Sequence, residues 1–129
     1  MTAAIFLTGA RGLIGQATRR RLQARGFDVV GCDLRADCEA ERYDFRDAAR
    51  MRERLAECDG VIHLGALSRV LWGERYPTLC RSINVDGAAS ILSATAQSPR
   101  KPWLIFASSR EIYGTPPRLP CAPDTPPNP

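Results

Sequence analysis

The chain has 129 residues, which is the size of a single domain that can bury its own core. Hydrophobic residues make up 44% and charged residues 25%, and no apolar run approaches the roughly 20 residues of a membrane span, so we expect no membrane partner. The formal charge of +4 comes mainly from scattered arginines, with one cluster at residues 19–21, so the sequence does not predict a nucleic-acid partner.

Cysteine and histidine usage argues against a metal site. The five cysteines are widely spaced and form no C-x-x-C pair, and the chain has a single histidine, His63. We therefore expect no bound metal, and free thiols in a reducing, cytoplasmic compartment. Residues 1–7 lack a basic segment, so we predict that they form a core strand and not a signal peptide.

Predicted strands and helices alternate along the chain. The expected strands are residues 3–8, 27–33, 43–45, 61–64 and 103–107. Three helices are expected: from the residue after Gly15 to about Arg25, from an Asp47 cap to about Glu57, and from about Thr78 to Gln97. Residues 34–42 and the segment before Pro77 are predicted loops. This alternation predicts the α/β class, a doubly wound parallel sheet with right-handed crossovers.

The composition changes at residue 115. Seven of the last fifteen residues are prolines, which excludes a helix or a central strand. We predict one domain over residues 1–114 and an extended proline-rich loop over residues 115–129, which leads toward a catalytic part that this sequence does not contain.

The clearest chemical signal is the glycine-rich turn between the first strand and the first helix. Gly9, Gly12 and Gly15 follow the pattern G-x-x-G-x-x-G. Unpaired amide groups at a helix N-terminus, together with the helix dipole, bind phosphate groups, and glycines let the backbone approach them closely. The turn therefore predicts a dinucleotide site, although a strand–helix turn that binds no nucleotide has the same local pattern.

An acidic residue follows at the end of the second predicted strand. Asp33 lies 18 positions after Gly15, where a carboxylate can accept hydrogen bonds from the adenosine ribose and repel a 2′-phosphate. Arg35 would instead welcome that phosphate. We therefore predict NAD as the cofactor and keep NADP as the weaker alternative.

Five segments in order resemble the extended short-chain dehydrogenase/reductase family, the NAD-dependent epimerases and dehydratases. They are residues 8–15 (TGARGLIG), 44–47 (DFRD), 61–66 (VIHLGA), 84–88 (NVDGA) and 106–114 (FASSREIYG). The resemblance spans nearly the whole chain. It implies a Rossmann-like NAD(P)-binding fold, truncated, and a homo-oligomeric parent enzyme acting on a nucleotide sugar or similar small molecule.

The resemblance also implies roles for individual residues. Ser109 corresponds to the catalytic serine, and the implied cofactor-binding residues are Gly9, Arg11, Gly12, Leu13, Ile14, Gly15, Asp33, Asp44, Phe45, Leu64, Gly65, Ala66 and Asn84. Plainer interpretations stay open for three positions. His63 is better explained as a core histidine, Asn84 could equally pin a helix to a neighbouring strand, and Asp44 could be a turn residue.

The sequence departs from the family at its catalytic pair. No Tyr-x-x-x-Lys occurs, and Tyr113 belongs to the segment that resembles V-Y-G. We therefore predict that the chain is the N-terminal cofactor-binding part of a longer enzyme, or a naturally shortened relative, and is inactive alone. The alternatives are a non-catalytic NAD(P)-binding sensor or interaction module, and a domain that binds no nucleotide.

Overall fold

A computed structural model describes residues 2–129. A parallel sheet of four strands forms its centre, in the order β2-β1-β3-β4. The strands are β1 (Ala4–Thr8), β2 (Asp28–Cys32), β3 (Gly60–His63) and β4 (Trp103–Phe106). The α-helices are α1 (Leu13–Gln23), α2 (Ala48–Leu55), α3 (Val70–Arg75), α4 (Pro77–Arg81) and α5 (Gly87–Gln97). The predicted α/β class with a parallel sheet is confirmed.

Helices cover both faces of the sheet because successive strand residues point to opposite sides. Phe6 and Val61 lie in one core with residues of α2 and α5, and neither is accessible to solvent. Leu7 and Val29 lie in the other core, which Leu22 of α1 completes. This arrangement confirms the prediction of a doubly wound sheet.

The predicted start of α2 and the predicted end of α1 are confirmed. The Asp47 side chain accepts a hydrogen bond from the Arg50 amide at 3.1 Å and caps α2. Gly26 has a positive φ of 82° and follows the end of α1, as expected for a residue that can leave the helix through the left-handed region.

The predicted strand over residues 43–45 is wrong, since these residues form a bend. The outer edge of β2 is occupied by side chains and not by another strand. Glu41 accepts a hydrogen bond from the Gly31 amide at 3.1 Å, and Arg19 pairs with the same carboxylate oxygen at 2.6 Å. Tyr43 is buried, and its ring packs in the core that contains Phe6 and Val61.

The long predicted helix is present but irregular. The chain is helical from Pro77 to Gln97, and residues Ser82–Asp86 form a π-helical turn between α4 and α5. Such turns occur where a helix must accommodate an extra residue, often at functional sites. The segment predicted as a loop before Pro77 also contains a short helix, α3.

The proline-rich segment, residues 115–129, has no helix or strand and folds back on itself. The amide of Asn128 donates to the carbonyl of Ile112 at 2.8 Å, and the hydroxyl of Tyr113 donates to the carbonyl of Pro123 at 3.1 Å. Gly114 has a φ of 56°, and a Cβ there would collide with the Asn128 carbonyl, so glycine is required where the loop closes.

A buried polar contact joins the two central strands at their carboxyl ends. The Thr8 hydroxyl accepts hydrogen bonds from the amides of Leu64 and Gly65, at 3.1 and 2.9 Å. It lies 2.6 Å from Nδ1 of His63. Because its lone pairs are engaged, the hydroxyl proton must be donated to Nδ1, which makes His63 a neutral imidazole with its proton on Nε2.

His63 should make the stability of the chain depend on pH. Burial lowers the pKa of this imidazole below its ordinary 6.5, and the residue is only 3% exposed. The unfolded chain then binds the proton more readily than the folded chain. Stability should be complete above pH 6.5 and should decrease as the pH falls below it, by at most about 1.4 kcal/mol per pH unit, until the folded pKa is passed.

Urea unfolding between pH 5.5 and 7.5 measures this effect, and the single histidine makes it assignable. A His63→Asn variant keeps a polar group of similar size without the titration and should lack the decrease. The same pH profile in both proteins would rule out His63 as its source.

Candidate cofactor site

The sequence-predicted site residues follow the ends of four parallel strands. Thr8 is in register with Cys32 on one side and with His63 on the other, and His63 is in register with Phe106. The segments that begin at Gly9, Asp33, Leu64 and Ala107 therefore leave the sheet at one edge. The connections from β1 to β2 and from β2 to β3 run in opposite directions across the sheet, which places a topological switch point beside β1.

The glycine turn is closely packed against the loop after β3. Gly9 has a φ of 67°, and a Cβ there would lie 2.9 Å from the amide nitrogen of Gly65 and 3.0 Å from the carbonyl carbon of Leu64. A Cβ on Gly15 would clash with the Gly9 carbonyl. These two glycines are therefore required by the turn itself.

The N-terminus of α1 has no side-chain cap. Gly12 is the N-cap residue in extended geometry, and the first turn carries no acidic side chain. Leu13 and Ile14 are 91% and 65% exposed. The positive end of the helix dipole therefore faces open space, which is the arrangement an anionic group can occupy.

Asp33 connects the glycine turn to the segment after β2. Its Oδ2 accepts from the Arg11 amide at 2.9 Å, and its Oδ1 accepts from the Arg35 amide at 2.9 Å. Its side chain is only 8% exposed, and the Arg35 guanidinium lies 3.7 Å from Oδ1. Each oxygen accepts one backbone hydrogen bond and keeps one lone pair for a ligand hydroxyl.

Asp44 is held by Arg46. Both carboxylate oxygens accept from the Arg46 side chain, at 2.5 to 3.0 Å, and Arg46 also donates to the Ser82 hydroxyl at 2.9 Å. These hydrogen bonds keep the pKa of Asp44 below its ordinary value, although partial burial opposes the shift. Asp44 thus stays ionised and links the bend before α2 to the π-helical turn.

The Phe45 ring packs against the end of β3 and the loop that follows it. Its ring meets His63 edge to face, with 5.0 Å between the ring centroids. A Cβ on Gly65 would lie 2.6 Å from the ring, and a Cβ on Gly87 would also collide with it. The ring therefore fits between two glycines. It fixes the position of the loop that contains Gly65 and the exposed Ala66.

Asn84 uses its amide group within the chain. Its Oδ1 accepts from the Leu67 amide at 2.8 Å, and its Nδ2 donates to the Leu67 carbonyl at 3.1 Å. Nδ2 also lies 3.4 Å from the sulfur of Cys80. The sequence left open that Asn84 pins a helix to a strand; its partner is instead the loop after β3, so the side chain positions the 64–67 loop from the π-helical turn.

Ser109 follows β4 at the same edge of the sheet. It is exposed and begins a short 3-10 helix, Arg110–Tyr113, where its Oγ accepts from the Glu111 amide at 3.2 Å. The contacts described above connect Arg11 with Asp33, Gly9 with Leu64 and Gly65, and Phe45 with Gly65. Ser109 is brought to the same edge, but among residues 2–129 the one hydrogen bond of its hydroxyl is with the Glu111 amide of its own helix.

Sequence reasoning missed three residues that organise this edge. Thr8 orients the loop after β3, Arg46 holds Asp44, and Asp37 pairs with Arg11 at 2.9 Å. Thr8 and Arg46 lie within two of the quoted segments, TGARGLIG and DFRD, whereas Asp37 has no local signal. Within the described chain, no group of three or more potential metal ligands lies together, and no helix is long and apolar enough to cross a membrane.

Comparisons of the sequence with known proteins point to one family. The sequence model of the NAD dependent epimerase/dehydratase family matches residues 5–129. The chain is 32% identical to a UDP-glucose 4-epimerase of Lactobacillus helveticus over 97% of this chain and 41% of that protein. It is also 32% identical to a 2-alkyl-3-oxoalkanoate reductase of Shewanella oneidensis, over 69% of this chain and 24% of that protein.

Solved structures give the same result. A UDP-glucose 4-epimerase from Brucella ovis, crystallised in complex with NAD, superposes with a TM-score of 0.88 at 29% identity, over 99% of this chain and 42% of that one. This chain therefore spans about two fifths of the length of such relatives. Because the family's sequence model covers nearly every residue, the chain belongs to the NAD-dependent epimerase/dehydratase family.

Proposed function

We propose that this chain is the NAD-binding part of an NAD-dependent epimerase, dehydratase or reductase that acts on a nucleotide sugar or a similar small molecule. The observation that supports this most directly is the uncapped N-terminus of α1 behind a glycine turn, with Asp33 bonded to that turn through the Arg11 amide. A phosphate group and a ribose hydroxyl need this pair of features side by side.

The residues present fit a dinucleotide. The pyrophosphate would lie against the amides of the turn that carries Gly9, Gly12 and Gly15, near the exposed Leu13 and Ile14. Asp33 would accept hydrogen bonds from the ribose, since each of its oxygens has a lone pair to spare. When bound, NAD supplies a hydride acceptor, and this chain's part is to hold and orient it.

The other site residues divide between contact and support. We propose that the backbone of Leu64, Gly65 and Ala66 lines the cofactor and that Asp44 reads the adenine amino group. Phe45 and Asn84 act by positioning, because their side chains already contact the loop that follows β3. Ser109 would orient the reacting oxygen of the substrate at the exposed end of β4.

The chemistry needs a residue that this chain does not carry. In the family that this chain resembles, the tyrosine of a Tyr-x-x-x-Lys pair exchanges a proton with the substrate. No such pair occurs in this sequence. We propose that the isolated chain binds cofactor without turnover. A non-catalytic sensor is the less favoured alternative, since relatives named as enzymes match over most of the chain.

We further propose a cytoplasmic location and a homo-oligomeric parent. The five cysteines are all free thiols, which suits a reducing compartment. Support for self-association comes from β4, where Trp103, Ile105 and Phe106 are about half exposed, at 47%, 54% and 52%. The charge of +4 is spread over scattered arginines, so it does not indicate a nucleic-acid partner.

Changing Gly12 to valine should abolish cofactor binding while the fold is retained. The branched side chain would occupy the space in front of the uncapped helix end, where the pyrophosphate must approach. Gly12→Ala is the matched control, because its Cβ meets only the Gly9 carbonyl, at 3.2 Å, and it adds little bulk. Calorimetric titration with NAD and circular dichroism measure binding and folding separately. Undiminished NAD binding by the valine variant would show that the turn is not the phosphate site.

Changing Asp33 to alanine should weaken NAD binding by about 1–3 kcal/mol, because charge-assisted hydrogen bonds to the ribose are lost. It should also narrow the difference between NAD and NADP, since the repulsion of a 2′-phosphate disappears. Asp33→Asn keeps an acceptor oxygen and should lose less NAD affinity. Titration of both cofactors tests this, and a wild-type preference for NADP would contradict the assignment.

The isolated chain should self-associate through the outer edge of β4, where the backbone groups have no neighbouring strand in the described residues. Sedimentation velocity at several concentrations measures this. Ile105→Lys places a charge on the exposed strand and should yield monomers. Leu71→Lys, on the exposed face of α3, should leave the association unchanged. A monomeric wild-type chain at all concentrations would be the opposite result.

A further inference from the structure

We propose that Asp37 is a cofactor-specificity residue, which disfavours NADP by holding the Arg11 guanidinium away from the 2′-phosphate. This inference rests on the proposed NAD-binding function and assigns a role within that site. Its basis is the ion pair between Arg11 Nη2 and Asp37 Oδ2, at 2.9 Å, directly beside the ribose-binding carboxylate.

The backbone of Arg11 is fixed next to Asp33. The Arg11 amide donates to Oδ2 of Asp33 at 2.9 Å, so the Arg11 side chain starts beside the carboxylate that would read the ribose. A guanidinium in this place is within reach of any phosphate attached to that ribose. Such a cation, if unpaired, favours NADP through a bidentate charge-assisted contact.

Asp37 is held in position by the turn after β2. The Ala36 amide donates to the Asp33 carbonyl at 3.1 Å, and Ala36 is buried. Arg42 donates to the carbonyls of Ala36 and Asp37, at 2.7 and 2.8 Å. The backbone that presents the Asp37 carboxylate to Arg11 is therefore anchored on both sides, although the carboxylate itself is exposed.

The local charges explain what Asp37 changes. Arg11 and Arg35 flank Asp33, while the Arg42 side chain is engaged with backbone carbonyls. Without Asp37, the Arg11 guanidinium would be free to turn toward the same carboxylate as Arg35, and the two cations together would attract a dianionic phosphate. With Asp37 in place, the charge of Arg11 is balanced by its ion pair, and a second carboxylate lies near Asp33.

The size of the effect is modest. The side chains of Arg11 and Asp37 are 39% and 82% exposed, so solvent and salt screen the pair. Removing Asp37 should tighten NADP binding by about two- to fivefold at low salt, and the gain should shrink at high salt. NAD has no phosphate at this position, so its affinity should stay within about twofold.

The experiment compares Asp37→Asn with wild type by calorimetric titration of NAD and NADP at two salt concentrations. Asp37→Glu keeps the charge and should behave as wild type. Arg11→Ala combined with Asp37→Asn should remove the gain in NADP affinity, which a purely structural ion pair would not predict.

The outcomes separate this inference from the proposed function. Unchanged NADP affinity in Asp37→Asn, with NAD still bound, would overturn the role of Asp37 and leave the NAD site standing. A gain that persists in the double variant would exclude Arg11 as the phosphate ligand and overturn the proposal. Failure of wild type to bind either cofactor would overturn the proposed function and this inference with it.

Discussion

The candidate site depends on one close approach, between the backbone after β1 and the backbone after β3. Gly9 makes it possible because it has a positive φ and no Cβ to meet Leu64 and Gly65. The Thr8 hydroxyl then accepts hydrogen bonds from the amides of the same two residues and donates its own hydrogen bond to Nδ1 of His63. If this contact were loosened, the glycine turn and the 64–66 loop would no longer share a fixed geometry.

The same edge of the sheet separates donors from acceptors. At the glycine turn, the uncapped start of α1 presents backbone amides and a positive dipole end. On the side of β2, Asp33 is a carboxylate held by two amides, and Asp44 is kept ionised by Arg46. An elongated ligand with anionic groups at its middle and hydroxyl or amino groups at one end matches this distribution of charge. This separation of charge is present in the chain without a ligand.

Three supporting residues act on one short loop, the loop after β3. The Thr8 hydroxyl accepts a hydrogen bond from the Gly65 amide, and Phe45 packs between Gly65 and Gly87. Asn84, in the π-helical turn, forms hydrogen bonds with the backbone of Leu67. An ordinary α-helical turn at residues 82–86 would change the direction of the Asn84 side chain, so the irregular helix and the pinned loop belong together.

The sequence by itself determined the elements whose signals are local. Glycine spacing marked the turn before α1, Asp47 marked the start of α2, and short apolar runs marked four strands, because these choices depend on neighbours within a few residues. The family followed from five ordered motifs. Only the tertiary structure decided the outer edge of β2, where Glu41 and Arg19 take the place of a predicted strand. It alone also decided the pairing of Thr8 with His63 and of Arg11 with Asp37, since those partners are distant in the chain and only folding brings their atoms within hydrogen-bond distance.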